Sequence, residues 1–133
     1  MFGGVERTGK RRLFGEVVKD RTARTLLEVI KRRVANGSII YSDMWVSYNG
    51  IEKELKMEHY SVNHTKYFKD PVTGVHTNTI EGTWNGIKMA IKPRSRSRKL
   101  LEDNIQEFVW RRMHKDNLWD SFIYCLKNYA VYN

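Results

Sequence analysis

The chain has 133 residues, 41% of them hydrophobic and 29% charged, which fits one folded domain and excludes a disordered chain. No apolar run approaches the roughly 18 residues that cross a bilayer, so no membrane partner is expected, and the single Cys125 excludes an internal disulfide or a multi-cysteine zinc site. The net charge of +9 points to a polyanionic partner, and residues 82–99 carry six basic and no acidic side chains.

In chain order, residues 1–7 and 11–18 are two short apolar runs around Thr8-Gly9-Lys10, the pattern of a β-hairpin. Residues 22–35 place Ala23, Leu26, Leu27, Ile30 and Val34 on one helical stripe, with Asp20 expected as the N-cap and Asn36-Gly37 as a left-handed C-terminal cap. Residues 38–42 read as a buried strand that delivers Asp43 at its end. Residues 45–55 are weakly helical and 59–62 form a further short strand. A polar connection from 63 to 79, with Pro71 and Gly74, is long enough to be a working loop. Ile80, Trp84, Ile87 and Ile91 then mark a helix that Pro93 breaks. Two more helices follow, one striped by Leu101, Ile105, Phe108 and Met113, the other by Leu118, Phe122, Cys125, Leu126 and Tyr129, with Cys125 expected as a packing residue. The order predicts an α/β domain with a helical C-terminal layer.

Two acids stand out by position. Asp43 follows a strand directly, and Glu81 falls in the first turn of a helix behind a long loop. Hard cations such as Mg²⁺ take oxygen ligands and usually only one or two protein carboxylates, so this pair could hold one; equally, Asp43 could be a turn residue and Glu81 a complement to the helix dipole. Lys88, Lys92, Arg94, Arg96, Arg98 and Lys99 suit phosphate contacts, or else form a solvated helix end or an import signal. Trp45, Tyr48 and Trp84 are candidates for base stacking, Trp84 more naturally for the core. The four histidines show no zinc spacing.

The segments 40–48, 61–64, 68–71 and 76–88 carry Tyr41-Ser42-Asp43-Met44-Trp45, Val62-Asn63-His64, Lys69-Asp70-Pro71 and His76-Thr77-Asn78-Thr79-Ile80-Glu81-Gly82-Thr83-Trp84-Asn85 in that order. Together with Phe2-Gly3-Gly4-Val5-Glu6-Arg7 and Asp20-Arg21-Thr22-Ala23, this resembles the DDE transposase domain of the ISXO-like bacterial insertion-sequence group and the eukaryotic Merlin transposons. The resemblance covers nearly the whole chain and rests on several spaced motifs that agree.

It implies a ribonuclease-H-like fold, a mixed sheet flanked by helices, cutting and joining DNA with Mg²⁺ or Mn²⁺ held by three acids. Asp43 matches the second acid and Glu81 the third, with 37 residues between them. His64, His76 and Asn78 match polar positions around the active-site loop. The first acid lies on an opening central strand upstream of Phe2, so residues 1–133 are expected to be a single catalytic domain, incomplete at the N-terminus and of little activity. The alternative is a transposase-derived DNA-binding protein without chemistry. The implied partners are transposon ends, target DNA and a second copy of the chain, in the nucleus for a eukaryotic source and in the cytoplasm or nucleoid otherwise.

Overall fold

A computed structural model describes residues 1–131, with side chains through 129. Strands β1 (Phe2–Val5) and β2 (Leu13–Glu16) form the expected antiparallel hairpin, Phe2 opposite Glu16 and Val5 opposite Leu13. At its tip Arg11 takes a left-handed conformation, φ 46°, uncommon for a residue with a Cβ. Gly3 is required by packing: a Cβ there would sit 2.4 Å from the Phe14 carbonyl oxygen and 2.8 Å from the Trp84 ring.

Helix α1 (Ala23–Arg33) buries Leu26, Leu27, Val29 and Ile30. Its N-cap is Thr22, whose hydroxyl accepts from the Thr25 amide; Asp20 instead braces that cap, accepting from the Thr22 amide at 3.1 Å and its hydroxyl at 2.7 Å. The helix closes at Val34 in an extended conformation, so Gly37, φ +80°, serves the following turn rather than the cap. Arg32 and Arg33 in the last turn grip the buried Glu16 of β2 at 2.5 and 3.0 Å, fixing helix to hairpin.

Strands β3 (Ile39–Asp43) and β4 (Glu58–Val62) run parallel, Tyr41 opposite Tyr60 and Asp43 opposite Val62. The crossover between them contains a 3-10 turn (Val46–Tyr48) and helix α2 (Ile51–Leu55). Two expectations fail here. The hairpin and the parallel pair are separate two-stranded sheets, not one mixed sheet, and β3 is not buried. Its residues alternate, Ile40 facing the core while Ile39 and Tyr41 stay exposed. With a helix covering one face only, an apolar run is not enough to bury a strand.

Helices α3 (Asn78–Ala90), α4 (Arg98–Met113) and α5 (Leu118–Val131) complete the chain, a 3-10 turn (Pro93–Ser95) separating the first two. One core, Phe2, Leu26, Leu27, Val29, Ile30, Ile51 and Met57, packs α1 against both sheets. The second, Ile87, Ile91 and Ile105 with Trp84 and Phe108, packs α3 on α4. The outer edge of β2 would leave backbone groups unpaired, and α4 supplies the partners: Glu102 accepts from the Val17 amide at 2.7 Å and Gln106 donates to the Gly15 carbonyl at 3.0 Å. The stripe of α5 does not pack as expected: Phe122, Cys125, Leu126 and Tyr129 are all exposed.

Candidate functional site

The long connection after β4 is held by its own hydrogen bonds. Asn63 accepts from the Thr65 amide, Asp70 accepts from the amides of Val72 and Thr73 at 2.9 and 2.7 Å, and the Asp70 amide donates to the Val75 carbonyl. Those bonds, chiefly from the Thr73 amide, hold the Asp70 carboxyl below its ordinary pKa. Buried Val75 anchors the loop, which therefore delivers His76, Thr77 and Asn78 to the start of α3 in a fixed arrangement.

Buried Thr77 is the hub of that arrangement, and sequence reasoning assigned it no role. Its hydroxyl donates to Glu81 Oε1 at 2.8 Å, and His64 Nε2 lies 2.5 Å from the same hydroxyl and 3.3 Å from Glu81 Oε1. A hydroxyl has one proton to give, so with the carboxylate taking it His64 must donate from Nε2. Glu81 sits in the first turn of α3, where the helix dipole favours its charge, and is oriented there by two side chains from the loop.

His76 lies on the other flank. Arg7, just beyond β1, donates from Nη2 to His76 Nε2 at 3.1 Å, and its guanidinium stands 5.0 Å from the centre of the Tyr41 ring. Arginine only donates, so the imidazole proton sits on Nδ1. Partial burial first, then the charges of Arg7 and Lys69, hold the His76 pKa below its ordinary value. His76 Nδ1 and Asn78 Oδ1 are the two buried side-chain atoms, among the described residues, that lack a hydrogen-bond partner. One is a donor and the other an acceptor, two positions apart where the loop enters α3 ahead of Glu81, and orphaned buried polar groups of this kind call for a functional explanation.

Asp43 ends β3 on its exposed side, and its Oδ1 accepts from the Trp45 amide at 3.2 Å, a turn of its own. The Asp43 charge, after burial, contributes to raising the pKa of Tyr48, which packs against Phe2. Two carboxylates suit Mg²⁺, which takes one or two from protein, but among the described residues no three His, Cys, Asp or Glu side chains gather closely enough to hold an ion. The three-acid set is not assembled by the described residues.

The basic segment has two parts. Lys88, Lys92, Arg94, Arg98 and Lys99 are exposed around the end of α3 and the start of α4. Arg96 has a structural task, its guanidinium donating to the carbonyls of Ile91 at 2.9 Å and Lys88 at 2.5 Å and so closing the C-terminus of α3. Trp84 joins the second core, as its stripe predicted, while exposed Trp45 carries the Arg21 guanidinium 5.1 Å over its ring. His59 is half-buried, paired with Ser42 at 2.7 Å, and burial lowers its pKa.

The family model for the ISXO2-like transposase domain matches residues 1–112. The chain belongs to the ISXO2-like transposase family. The match takes in both sheets, Asp43, the Glu81 cluster and the whole basic segment, and stops one residue short of the end of α4. No curated protein and no solved structure gives a significant match. Membership makes DNA the general partner, and no helix among the described residues is long and apolar enough to cross a membrane. Within this transposase domain Arg7 and Thr77 are the two site residues that spacing did not single out. Both lie inside the motifs that carry the resemblance, but their roles depend on contacts to His76 and Glu81 that only folding creates.

Proposed function

We propose that the chain is the catalytic domain of a DNA transposase of the DDE type, which handles phosphodiester bonds during cut-and-paste transposition, on the ribonuclease-H-like scaffold shared by ISXO-like insertion sequences and Merlin elements. The observation that carries this reading is the Glu81 carboxylate, oriented by Thr77 and His64 at a helix start within a matched transposase domain. Asp43 and Glu81 would be the carboxylates for Mg²⁺ or Mn²⁺; bound there, such an ion supplies charge stabilisation to the reacting phosphoryl oxygens.

The chain's own residues would do the following. Thr77 and His64 hold Glu81 in one rotamer, so little ordering cost is left for a ligand. His76 Nδ1–H offers a donor to a phosphate oxygen, Asn78 Oδ1 an acceptor to a water, and Arg7 keeps the imidazole in the required tautomer. Lys88, Lys92, Arg94, Arg98 and Lys99 bind the backbone of the duplex. Because two acids rather than three are available among the described residues, cleavage by these residues alone is slight.

The test is DNA binding and plasmid cleavage by the purified chain with Mg²⁺ or Mn²⁺, alongside Asp43→Asn and Glu81→Gln. Salt-sensitive DNA binding, and metal binding that both substitutions weaken, are expected. Failure to bind DNA at low salt overturns the transposase reading, and brisk metal-dependent cleavage lost on Asp43→Asn overturns the statement of low activity. Metal binding unchanged by either substitution would remove both acids from the site.

A further inference from the structure

Helix α5 lies beyond the matched transposase domain and makes only marginal contact with the rest of the molecule. None of its residues from 118 to 129 is buried. Yet Leu118, Phe122, Cys125 and Tyr129 recur at alternating spacings of four and three residues, the repeat of a helix-pair seam, and Trp119 and Leu126 flank that seam on one side. Asp120 and Lys127 fall on the opposite face. A seam of this kind is a surface made to be covered.

We propose that α5 pairs with the α5 of a second copy of this chain, antiparallel, about a two-fold axis between Ile123 and Tyr124. The order of residues is what selects this occupant. Rotation about that midpoint sets Phe122 against Cys125 of the second copy and Leu118 against Tyr129, a large side chain facing a small one at the centre. Parallel pairing would set Phe122 on Phe122 and leave Cys125 facing Cys125. Antiparallel pairing also brings the Trp119 and Leu126 flanks of both copies to the same sides and opposes the helix dipoles.

The area is sufficient. Trp119 is 70%, Phe122 44% and Tyr129 73% exposed. At the 150–250 Å² an aromatic side chain can bury, these leave about 400 Å² of aromatic surface per chain in water. With Leu118, Cys125 and Leu126 added, two copies reach about 1,000 Å², the lower end of specific interfaces. Exposed apolar patches of several hundred Å² mark interaction sites in soluble proteins. An interface of this size makes the dimer a concentration-dependent one.

Sedimentation of the full chain over a wide concentration range tests the pairing, and cysteine bridging tests its direction. Mass rising from one chain to two is expected, with Phe122→Asp holding it at one chain while the far-ultraviolet spectrum and melting of the domain persist. For direction, a differently tagged Phe122→Cys/Cys125→Ser chain is mixed with wild type and treated with a short bis-maleimide. Bridging between the two kinds of chain, exceeding bridging within either kind, is expected. A single-chain mass at every concentration overturns the proposal. Preferential wild-type self-bridging through Cys125, or a Phe122→Asp dimer as strong as wild type, overturns it equally.

Discussion

Replacing Lys88, Lys92 and Arg94 together by Gln removes three exposed cations from the end of α3 and the turn that follows, without touching the core. The structure sets the expected size. Of the six basic residues in this segment, Arg96 is spent on the carbonyls of Lys88 and Ile91, which leaves five for phosphates. Each neutralised phosphate contributes about 0.9 to the slope of log affinity against log salt, so five give about −4.5, or roughly a 500-fold loss of affinity between about 50 and 200 mM salt. The triple variant should retain a slope of about −1.8 and lose only about 12-fold over the same range. Fluorescence anisotropy with duplexes of unrelated sequence reads both numbers, and the change should be the same for each duplex because phosphates carry no sequence information. Arg96→Gln is the internal control: it should change the slope by less than one contact while lowering stability by about 1–2 kcal/mol, since its partners are helix-end carbonyls. A triple variant with the wild-type slope, or an Arg96→Gln slope change as large as that of the triple variant, would refute the reasoning.

Arg98 and Lys99 occupy the first turn of α4, which has no acidic residue, and there the dipole disfavours a cation by about 0.3–1 kcal/mol. Replacing both with Glu should raise the melting temperature while weakening DNA binding; unchanged DNA binding would remove the segment from the interface, and a lower melting temperature would refute the dipole argument. Glu16→Gln breaks a mostly buried carboxylate's grip on Arg32 and Arg33, whose exposed heads soften the penalty to about 2 kcal/mol in urea unfolding, against almost none if the pairs were ordinary surface pairs. Hydroxyls of Thr25 and Thr22 lower the Asp20 pKa from 3.8 to about 2. Because the folded value lies below the unfolded one, its stabilisation is complete above about pH 4 and disappears as pH falls toward about 2. The melting difference between wild type and Asp20→Asn should therefore close over that window, and a gap that stays constant would place the stabilisation elsewhere. His76 has the opposite charge type: a depressed folded pKa keeps its contribution full above its ordinary value of 6.5 and loses it on acidification below that point. His76→Gln should flatten the stability profile just below neutrality.

Local patterning determined much of this protein. The hairpin, α1, the strand that ends at Asp43, the long loop and α3 through α5 were all legible, because periodicity, breakers and turn residues act over a few positions. The acids and the basic segment were visible for the same reason, as runs or as residues at element ends. What only tertiary structure decided depends on which surfaces meet. The cap of α1 passed from Asp20 to Thr22 because the geometry of one hydrogen bond chose it, and β3 stayed half exposed because one face has no cover. Cys125 lies on an apolar stripe in sequence, yet the fold leaves its side chain exposed. Arg7 and His76 stand 69 positions apart, and Thr77 becomes the hub of Glu81 and His64 only when the loop folds back on the helix. Sequence fixes the chemistry each side chain brings; the pairing of donors with acceptors across distant segments is a property of the folded whole.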